Sequence, residues 1–309
     1  MRKTTGIVEQ HIHGAFGYDF MNCSTEDILT VAKMLLKSGV SAFFPTVMTD
    51  DKEVIKERIA VIKEAQQKNT KDGADIAGIH LEGPFINKEK AGIHEKKYIL
   101  PLNADLYKEL EDEIIKIITV APELDENGDF ISYLKSKGVK VSAGHCIGYN
   151  LENAAQVTHL YNAMGGFSHR GGSTVVSALS DENIYAEIIA DSMHVSDEVL
   201  KLTFKMKNIN KILLISDALP LAHSSKKEHI FAGQKIYNKN GKLVNADGVF
   251  AGSSLLICDI IKNVVDKGIL TFEEAIQAAS LNQMNYHKIR NKINVFWNED
   301  NTVNKVEII

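Results

Sequence analysis

Short apolar runs alternate along the chain with longer amphipathic runs of helical period. Eight of the apolar runs are rich in Ile, Val, Leu and aromatic residues and therefore indicate β-strands. Because they lack strict alternation of apolar and polar positions, we expect parallel strands that are covered on both faces. The runs are residues 6–13 (GIVEQHIH), 40–48 (VSAFFPTVM), 74–83 (ADIAGIHLEG), 114–123 (IIKIITVAPE), 139–145 (VKVSAGH), 156–163 (QVTHLYNA), 184–191 (IYAEIIAD) and 211–218 (KILLISDA).

The amphipathic runs carry signals for the start and the end of helices. In residues 24–39, Ser24 and Asp27 have the spacing of a capping box, and Gly39 follows the last apolar position. Apolar residues recur there at intervals of three and four, which places them on one helical face. The same pattern predicts helices over residues 51–68, 253–268 and 271–284.

Eight strands separated by mostly helical segments predict an α/β fold, a closed (β/α)8 barrel of the TIM type. We expect the barrel to occupy residues 1–290 and the tail 291–309, as loop or strand, to pack on it. Two connections depart from the alternation. The stretch 83–101 is a loop after the third strand, and the polar stretch 224–250 contains Asn240-Gly241, which indicates a hairpin after the eighth.

Composition and charge narrow the class of protein. The chain has 309 residues, of which 44% are hydrophobic and 24% charged, as expected of a soluble, globular chain forming one domain. A net charge of -5 without basic clusters argues against nucleic-acid binding, so we expect a small-molecule ligand. The apolar runs are too short to cross a membrane. Three scattered cysteines and a polar N-terminus favour a reducing cytoplasm.

Side chains able to bind metal fall at the downstream ends of the strand-like runs. In a parallel barrel these ends converge on one face, where the active site of such enzymes is built. His11 and His13 are two apart and so lie on the same side of a strand, within reach of one ion. The pattern therefore predicts one metal-dependent site. Its further members are Glu82, His145, His159, His194 and Asp217.

Each of these residues also has an interpretation without a metal. The His-x-His pair is about as often a surface accident as a ligand pair. Glu82 could be a solvated loop acid, although an acid that ends a buried strand needs a partner. His145 and His159 could be hydrogen-bonded core histidines, and Asp217 could belong to an ion pair. Several such coincidences at neighbouring strand ends are less probable than a shared ion.

The motifs, taken in order, resemble those of the N-acetylglucosamine-6-phosphate deacetylases of the amidohydrolase superfamily. The resemblance covers nearly the whole chain, and HLEGPF and THLYNAM are its specific pieces. The remaining pieces are HIHG at 11–14, Gly92 and His94, APE at 121–123, AGH at 143–145, Asp191 to His194, SDA at 216–218 and AGSS at 251–254.

This resemblance implies a metal site and a mechanism. Glu82, His145 and His159 would hold the principal divalent ion, Zn2+ or Fe2+, and His11 and His13 make a second ion possible. The ion would generate hydroxide at neutral pH to attack the acetamide carbonyl. Asp217 would act as general base and then as general acid. The ion and His94 would polarise the carbonyl oxygen.

The resemblance also implies a pocket for an amino-sugar phosphate. Asn162, the backbone N–H of Ala163, Arg170 and His194 would meet the phosphate, and a planar arginine fork suits that group. In relatives the arginine can come from a neighbouring subunit, so we expect a homodimer. The small residues Ala251, Gly252 and Ser253 would line the acetyl end.

Three features depart from the family pattern. Full-length relatives carry a small β-sandwich, which we expect to be missing or vestigial here. The stretch between His145 and His159 leaves room for barely two helical turns, so one outer helix is expected to be truncated. Asp191-Ser192-Met193-His194 replaces the more usual Asp-Gly-x-His.

Two alternatives to this deacetylase remain. The same chemistry could act on another N-acyl compound, such as N-acetylgalactosamine 6-phosphate. The chain could instead be a silent barrel that binds sugar phosphate or another protein. The complete ligand set together with Asp217 argues against the silent barrel, because a protein without turnover needs neither.

Overall fold

The secondary structure follows the predicted alternation of strands and helices. A computed structural model describes residues 1–148, 150–151 and 153–309. The strands, in chain order, are β1 (Arg2–Thr5), β2 (Ile7–Ile12), β3 (Gly14–Ala15), β4 (Tyr18–Asp19), β5 (Val40–Met48), β6 (Asp75–Ile76), β7 (Ile79–Glu82), β8 (Ile115–Val120), β9 (Lys140–Ala143), β10 (Gln156–Val157), β11 (Tyr185–Ile189), β12 (Ile212–Ile215), β13 (Glu228–Phe231), β14 (Gln234–Lys239), β15 (Lys242–Val244), β16 (Phe250–Ser253), β17 (Ile293–Trp297) and β18 (Val303–Ile308). The α-helices are α1 (Thr25–Lys37), α2 (Lys52–Lys68), α3 (Ala104–Lys108), α4 (Asp129–Ser136), α5 (Thr174–Ser180), α6 (Asp197–Met206), α7 (Ile257–Asp266), α8 (Phe272–Ile276) and α9 (Asn282–His287).

A parallel barrel forms the centre of the molecule, as the sequence predicted. The strands follow the order β2-β5-β7-β8-β9-β10-β11-β12. The ring closes where Ile12 forms a parallel bridge with Ala218 and the backbone N–H of His13 donates to the Ala218 carbonyl at 2.9 Å. Strands β2, β5 and β12 are buried along their whole length, in agreement with the continuous apolar runs. The predicted fold class is therefore confirmed.

Two of the predicted strands differ in extent from the structure. The third run is divided into β6 and β7, because Ala77 and Gly78 interrupt it. The prediction of a strand over residues 156–163 was wrong beyond Val157. His159, Tyr161 and Ala163 have positive φ values there, so the backbone turns away from extended geometry.

The predicted helices form with small changes at their ends. Ser24 caps α1, and its reciprocal hydrogen bonds with Asp27 complete the expected capping box. Helix α7 begins at Ile257 rather than near residue 253, because Ser253 ends β16. The run 271–284 becomes α8, a π-helical turn (Gln277–Leu281) and α9. Among the described residues between β9 and β10 none is helical, in agreement with the expected truncation.

Two antiparallel sheets accompany the barrel. The polar stretch after β12 forms a sheet of order β13-β14-β15-β16, and Asn240 and Gly241 make the predicted turn with φ values of 55° and 88°. Strands β1, β17 and β18 form the second sheet and bring the two ends of the described chain together. Among the described residues, no helix is long and apolar enough to cross a membrane.

Candidate active site

The predicted metal-binding side chains meet at the carboxyl ends of the barrel strands. Glu82 is the last residue of β7, while His145, His159 and Asp217 each lie two residues beyond β9, β10 and β12. His11 lies within β2 and His13 directly follows it. All six are buried. The convergence expected of parallel strands thus places residues from across the chain within hydrogen-bonding distance of one another.

Three of these residues share an unusual backbone conformation. His145, His159 and Asp217 have φ values of 48°, 29° and 50°, in a region that non-glycine residues seldom adopt. Hydrogen bonds hold this conformation: for example, the backbone N–H of Asp217 donates to the His11 carbonyl at 3.0 Å. Each of these strands therefore ends in a turn that aims a polar side chain at the centre of the barrel mouth.

Glu82, His145 and His159 form a triangle of ligand atoms. Glu82 Oε1 lies 3.2 Å from His145 Nε2 and 3.0 Å from His159 Nε2, and the two imidazole nitrogens are 3.2 Å apart. Metal–ligand bonds of about 2.0–2.1 Å in tetrahedral geometry would separate two ligand atoms by about 3.3 Å. The triangle therefore fits one face of the coordination shell of a small divalent ion.

His11, His13 and Asp217 form a second group of ligand atoms beside the first. Asp217 Oδ1 lies 3.1 Å from His13 Nε2 and 3.5 Å from His11 Nε2. Glu82 faces both groups, because its Oε2 lies 3.3 Å from His13 Nε2 while its Oε1 belongs to the triangle. The second group could hold another ion, with Glu82 between the two positions.

The charges of the site favour a cation. Burial raises the pKa of Glu82, but His11, His13 and His145 outweigh it and hold this pKa well below its ordinary value. Burial opposes ionisation of Asp217 in the same way, yet the neighbouring His11 and His13 lower its pKa to about 2. Burial, together with His94, lowers the pKa of His145 to about 4. Two carboxylates and the neutral imidazole of His145 are thus available at neutral pH. Burial lowers the pKa values of His11 and His13, but Glu82 and Asp217 outweigh it and raise them, so these two imidazoles would release a proton when an ion binds.

Unpaired nitrogen atoms supply a further test of the fit to a metal. The Nε2 atom of His11 is buried and has no hydrogen-bond partner among the described residues. This atom faces Glu82 Oε1 at 3.6 Å and Asp217 Oδ1 at 3.5 Å. A buried polar atom without a partner is costly, and a shared ion would satisfy it. The residues present therefore fit a divalent metal.

His94 reaches the site from the loop after β7. Its Nε2 lies 3.6 Å from Glu82 Oε2, and its ring packs edge-on against His145 with centroids 4.5 Å apart. The residue is 4% exposed although it belongs to a loop. His94 therefore lies beside the triangle and lines the same cavity as the triangle.

A cavity of about 330 Å3 opens over the ligand atoms, within the size range of small-ligand sites. Its wall includes Asn162, Ala163, His194, Ala251 and Gly252, so the structure brings these predicted pocket residues to the same opening as the ligand groups.

His194 is held in the cavity wall by Asp191. Its Nδ1 lies 2.7 Å from Asp191 Oδ2, and its ring packs on Phe250 with centroids 5.1 Å apart. Burial lowers the pKa of His194, but the Asp191 carboxylate outweighs this effect and raises it. A protonated imidazole there suits an anionic group of a ligand.

Two predicted pocket residues lie outside the cavity wall. Arg170 is exposed and does not line the cavity. Ser253 is 1% exposed and instead supports Asp217, because its backbone N–H donates to the Asp217 carbonyl at 2.9 Å. Within one chain, Arg170 therefore does not join the other pocket residues, while Ser253 contacts Asp217 without lining the cavity.

The sequence interpretation missed two residues of the site. Lys90 lines the cavity, and its backbone carbonyl lies 2.7 Å from His145 Nδ1, the nitrogen that faces away from the triangle. Glu187 lies inside β11 with its Oε2 3.0 Å from His11 Nδ1. Its position within a strand-like apolar run was a usable signal, because a buried acid needs partners. Lys90 gave no such signal among the lysines of its loop.

Comparisons with known proteins agree with this geometry. The model of the amidohydrolase family matches residues 3–295. An N-acetylglucosamine-6-phosphate deacetylase of Bacillus subtilis (strain 168) is 33% identical over 262 residues, covering 81% of this chain and 66% of that protein. The protein of the same name from Rattus norvegicus is 31% identical over 299 residues, covering 89% and 72%. The chain thus spans less than three quarters of either relative's length.

The fold has close counterparts among solved structures. The crystal structure of N-acetylglucosamine-6-phosphate deacetylase from Thermotoga maritima superposes with a TM-score of 0.90 at 28% identity, covering 99% of this chain and 87% of that one. The corresponding structure from Pasteurella multocida gives a TM-score of 0.89 at 25% identity, covering 99% and 85%.

Proposed function

Because the chain belongs to the amidohydrolase family, we propose that it is a metal-dependent deacetylase that converts N-acetylglucosamine 6-phosphate to glucosamine 6-phosphate and acetate. The observation that carries this proposal is the triangle of Glu82, His145 and His159 with Asp217 beside it in one cavity. The names of the relatives in bacteria and mammals support the choice of substrate.

Five side chains would hold the metal. Glu82, His145 and His159 would bind the principal ion, and His11 and His13 a second one. Zn2+ and Fe2+ both accept imidazole and carboxylate ligands, so this donor set fits either. When bound, such an ion activates water near neutral pH and withdraws charge from a carbonyl oxygen.

Asp217 transfers the protons of the reaction. Its carboxylate is ionised at neutral pH, so it accepts a proton from the attacking water. It then delivers that proton to the nitrogen of the departing amine, which cannot leave as an unprotonated anion. Asp217 lines the cavity, so one carboxylate can serve both steps.

His94 polarises the acetamide carbonyl. Its ring lies against His145 on the cavity wall, and its hydrogen bond would strengthen as negative charge develops on the carbonyl oxygen. The small residues Ala251 and Gly252 also line the cavity and would leave room for the methyl group of the acetyl unit.

The phosphate is bound at the end of the cavity where His194 lies. The same cavity is lined by Asn162, Ala163 and the cationic Lys90, which would bind the phosphate together with His194. We place Arg170 at the phosphate of a neighbouring subunit in a homodimer, because this exposed arginine does not reach its own cavity. Light scattering of the purified protein tests the dimer. The three cysteines are free in the structure and suit a cytoplasmic enzyme.

Acetate release by the purified protein is the experiment that tests this function. We expect turnover of N-acetylglucosamine 6-phosphate that disappears on chelation and returns when Zn2+ or Fe2+ is added back. Unphosphorylated N-acetylglucosamine and N-acetylgalactosamine 6-phosphate serve as parallel substrates. A metal-replete protein without turnover on any of the three would contradict the proposal, and a preference for the unphosphorylated sugar would contradict the phosphate pocket.

Asp217→Asn separates catalysis from binding in the same assay. The variant should keep its metal and lose kcat by about 10²–10⁴-fold, the usual contribution of a general acid–base group. Undiminished activity in Asp217→Asn would exclude the proton-transfer role, while inactivity of the native protein with intact sugar-phosphate binding would indicate a sensor.

A further inference from the structure

Glu187 occupies the interior of the barrel directly beneath the ligand groups. It is fully buried on β11, and each of its carboxylate oxygens receives two donors. At Oε1 these are the side-chain amides of Gln10, at 2.5 Å, and Gln156, at 2.9 Å. At Oε2 they are His11 Nδ1, at 3.0 Å, and the backbone N–H of His159, at 3.3 Å.

The two glutamines cannot readily turn to offer an acceptor to Glu187. Gln10 Oε1 lies 2.7 Å from His287 Nε2, and Gln10 Nε2 also contacts Gln156 Oε1 at 3.3 Å. The Gln156 amide also donates to Ser142 Oγ at 3.2 Å. The two amides therefore present N–H groups to Oε1, while Oε2 accepts from His11 Nδ1 and from the backbone N–H of His159.

This contact determines which nitrogen of His11 carries the proton. A carboxylate can only accept, so His11 must place its proton on Nδ1. When the ring carries only this proton, as a metal ligand must, its Nε2 lone pair points at the space between Glu82 and Asp217. His13 differs, because its Nδ1 is buried without a hydrogen-bond partner among the described residues. Of the His-x-His pair, His11 is thus the member whose ring is anchored.

We propose that Glu187 is a positioning residue that fixes His11 as a ligand of the second metal ion, and so determines whether the chain binds one ion or two. This inference rests on the proposed metal site. Partners of this kind, which bind the far nitrogen of a ligating histidine, typically change metal affinity by about 10–100-fold when they are removed.

Glu187→Gln is a sharp test because it changes few atoms. The oxygen of the new amide must remain at the position that accepts from Gln10 and Gln156. Its NH2 group then faces His11 Nδ1, which has to become an acceptor, and the proton moves to Nε2, where the ion should bind. The volume is unchanged, so the principal effect on His11 is to select the wrong tautomer. The same NH2 group also deprives the backbone N–H of His159 of its acceptor at 3.3 Å, which is the weakest of the four hydrogen bonds to Glu187.

The experiment is a titration of metal-free protein with Co2+, followed by visible absorption and by metal analysis after gel filtration. The native protein should bind two ions. In Glu187→Gln we expect the first ion to bind within about threefold of the native affinity and the second about 10–100-fold more weakly. Ser142→Ala is the matched control, because it disturbs the same hydrogen-bond network without contacting His11 or Glu187, and it should bind both ions like the native protein.

A double-mutant cycle distinguishes positioning from general structural support. If Glu187 acts through His11, Glu187→Gln should have no further effect on metal binding in a His11→Gln background. If Glu187→Gln does not fold, Glu187→Asp takes its place. The shorter side chain keeps the negative charge but moves the carboxylate away from His11 Nδ1. We therefore expect this variant to have a lower affinity for the second ion.

Acetate release by the native protein, measured on the same samples, separates this inference from the proposed function. If Glu187→Gln bound each of the two ions as tightly as the native protein does, the positioning role would be overturned. An active native protein that binds a single ion would also overturn it and leave the function intact. A native protein that binds two ions without turnover would contradict the function and not the role of Glu187.

Discussion

At the scale of single residues, neighbours rather than residue type determine what each buried histidine can do. Burial lowers the pKa of His80 to about 4. Both of its ring nitrogens have hydrogen-bond partners, namely the Gln10 carbonyl and Thr119 Oγ1. His13 is equally buried, yet Asp217 and Glu82 outweigh the desolvation and raise its pKa to about 9. His80 is therefore a structural residue although it lies two positions before Glu82, while His13 faces two carboxylates that attract a cation.

His94→Asn tests the residue that faces the carbonyl oxygen. Its hydrogen bond gains strength only as charge develops in the transition state, so we expect kcat to fall by about 10²–10³-fold with KM nearly unchanged. Steady-state acetate release at several substrate concentrations measures both constants, and metal analysis confirms an intact site. A raised KM at unchanged kcat would instead assign His94 to substrate binding.

Asp191→Asn tests the protonation of His194 through pH. The Asp191 carboxylate raises the pKa of His194, so the native imidazole stays protonated to higher pH than a free histidine. Without that charge, burial should lower the pKa and leave the imidazole neutral at pH 7–8, weakening phosphate binding. Where the native imidazole is protonated and that of the variant is not, we expect KM of the variant to exceed the native value by about 3–10-fold, roughly the loss of one charge-assisted hydrogen bond. The two KM values should converge as the pH falls.

The same pair also contributes to stability in a defined range of pH. A raised folded-state pKa for His194 gives stability that is complete below the unfolded pKa and is lost as pH rises through the folded pKa. The lowered pKa of Asp191 gives stability that is complete above its unfolded pKa and is lost as pH falls through the folded value. Both contributions to stability are therefore complete at mildly acidic pH.

The outcome that would contradict the KM prediction for Asp191→Asn is a pH profile of KM identical to that of the native protein. Such a profile would exclude a protonated His194 from phosphate binding.

At the scale of elements, the apolar runs predicted where strands lie but not how they end. The runs through His145, His159 and Asp217 look alike in sequence, and nothing in their composition shows that all three residues take positive φ values. Tertiary hydrogen bonds impose this geometry, such as the one from Leu160 N–H to the Glu187 carbonyl at 2.8 Å. The prediction for residues 156–163 was wrong in extent for this reason.

Gly252→Ala tests how β16 positions Asp217. Gly252 has φ +86°, and an added Cβ would lie 2.7 Å from the Asp217 carbonyl oxygen, a backbone atom that must then move. Displacing a catalytic group by a fraction of an ångström to one ångström can cost about 10²-fold in rate, so we expect kcat to fall by about 10–100-fold. Because the added methyl group also narrows the acetyl end of the cavity, acetate release is measured at several substrate concentrations to separate kcat from KM. Thermal unfolding is measured on the same preparation.

Gly248→Ala is the control for backbone strain. Gly248 has φ +80°, nearly that of Gly252, but an added Cβ there meets no atom within 4 Å. Both variants thus carry similar conformational strain, of about 1–2 kcal/mol, and only Gly252→Ala pushes on Asp217. Equal kcat values in the two variants would show that β16 does not set the position of Asp217.

At the scale of the whole molecule, the sequence predicted the barrel and most of the candidate metal-binding side chains. This was possible because the carboxyl ends of all the parallel strands lie on one face of the barrel. The sequence did not reveal contacts that depend on which strands are neighbours. Glu187 reaches His11 only because ring closure places β11 and β2 on either side of β12. Arg170 was expected at a pocket that it does not reach within one chain. The sheet of β1, β17 and β18 likewise joins segments almost 300 residues apart, which no local pattern specifies.

Trp297→Ala tests whether that sheet serves stability rather than catalysis. Trp297 is completely buried on β17, packs edge-on against Phe272 with centroids 5.4 Å apart, and donates from Nε1 to Thr4 Oγ1 at 2.9 Å. Truncating such a side chain leaves a cavity and typically lowers the free energy of unfolding by about 3–5 kcal/mol. Because the ligand groups lie at the carboxyl ends of the barrel strands and share no contact with Trp297, kcat and KM should change less than about twofold while the protein is folded.

Ile308→Ala on β18 is the control, because this side chain is half exposed, and it should change the free energy of unfolding by less than about 0.5 kcal/mol. Urea unfolding and acetate release give the two quantities, and a loss of kcat in folded Trp297→Ala would mean that the sheet is coupled to the site.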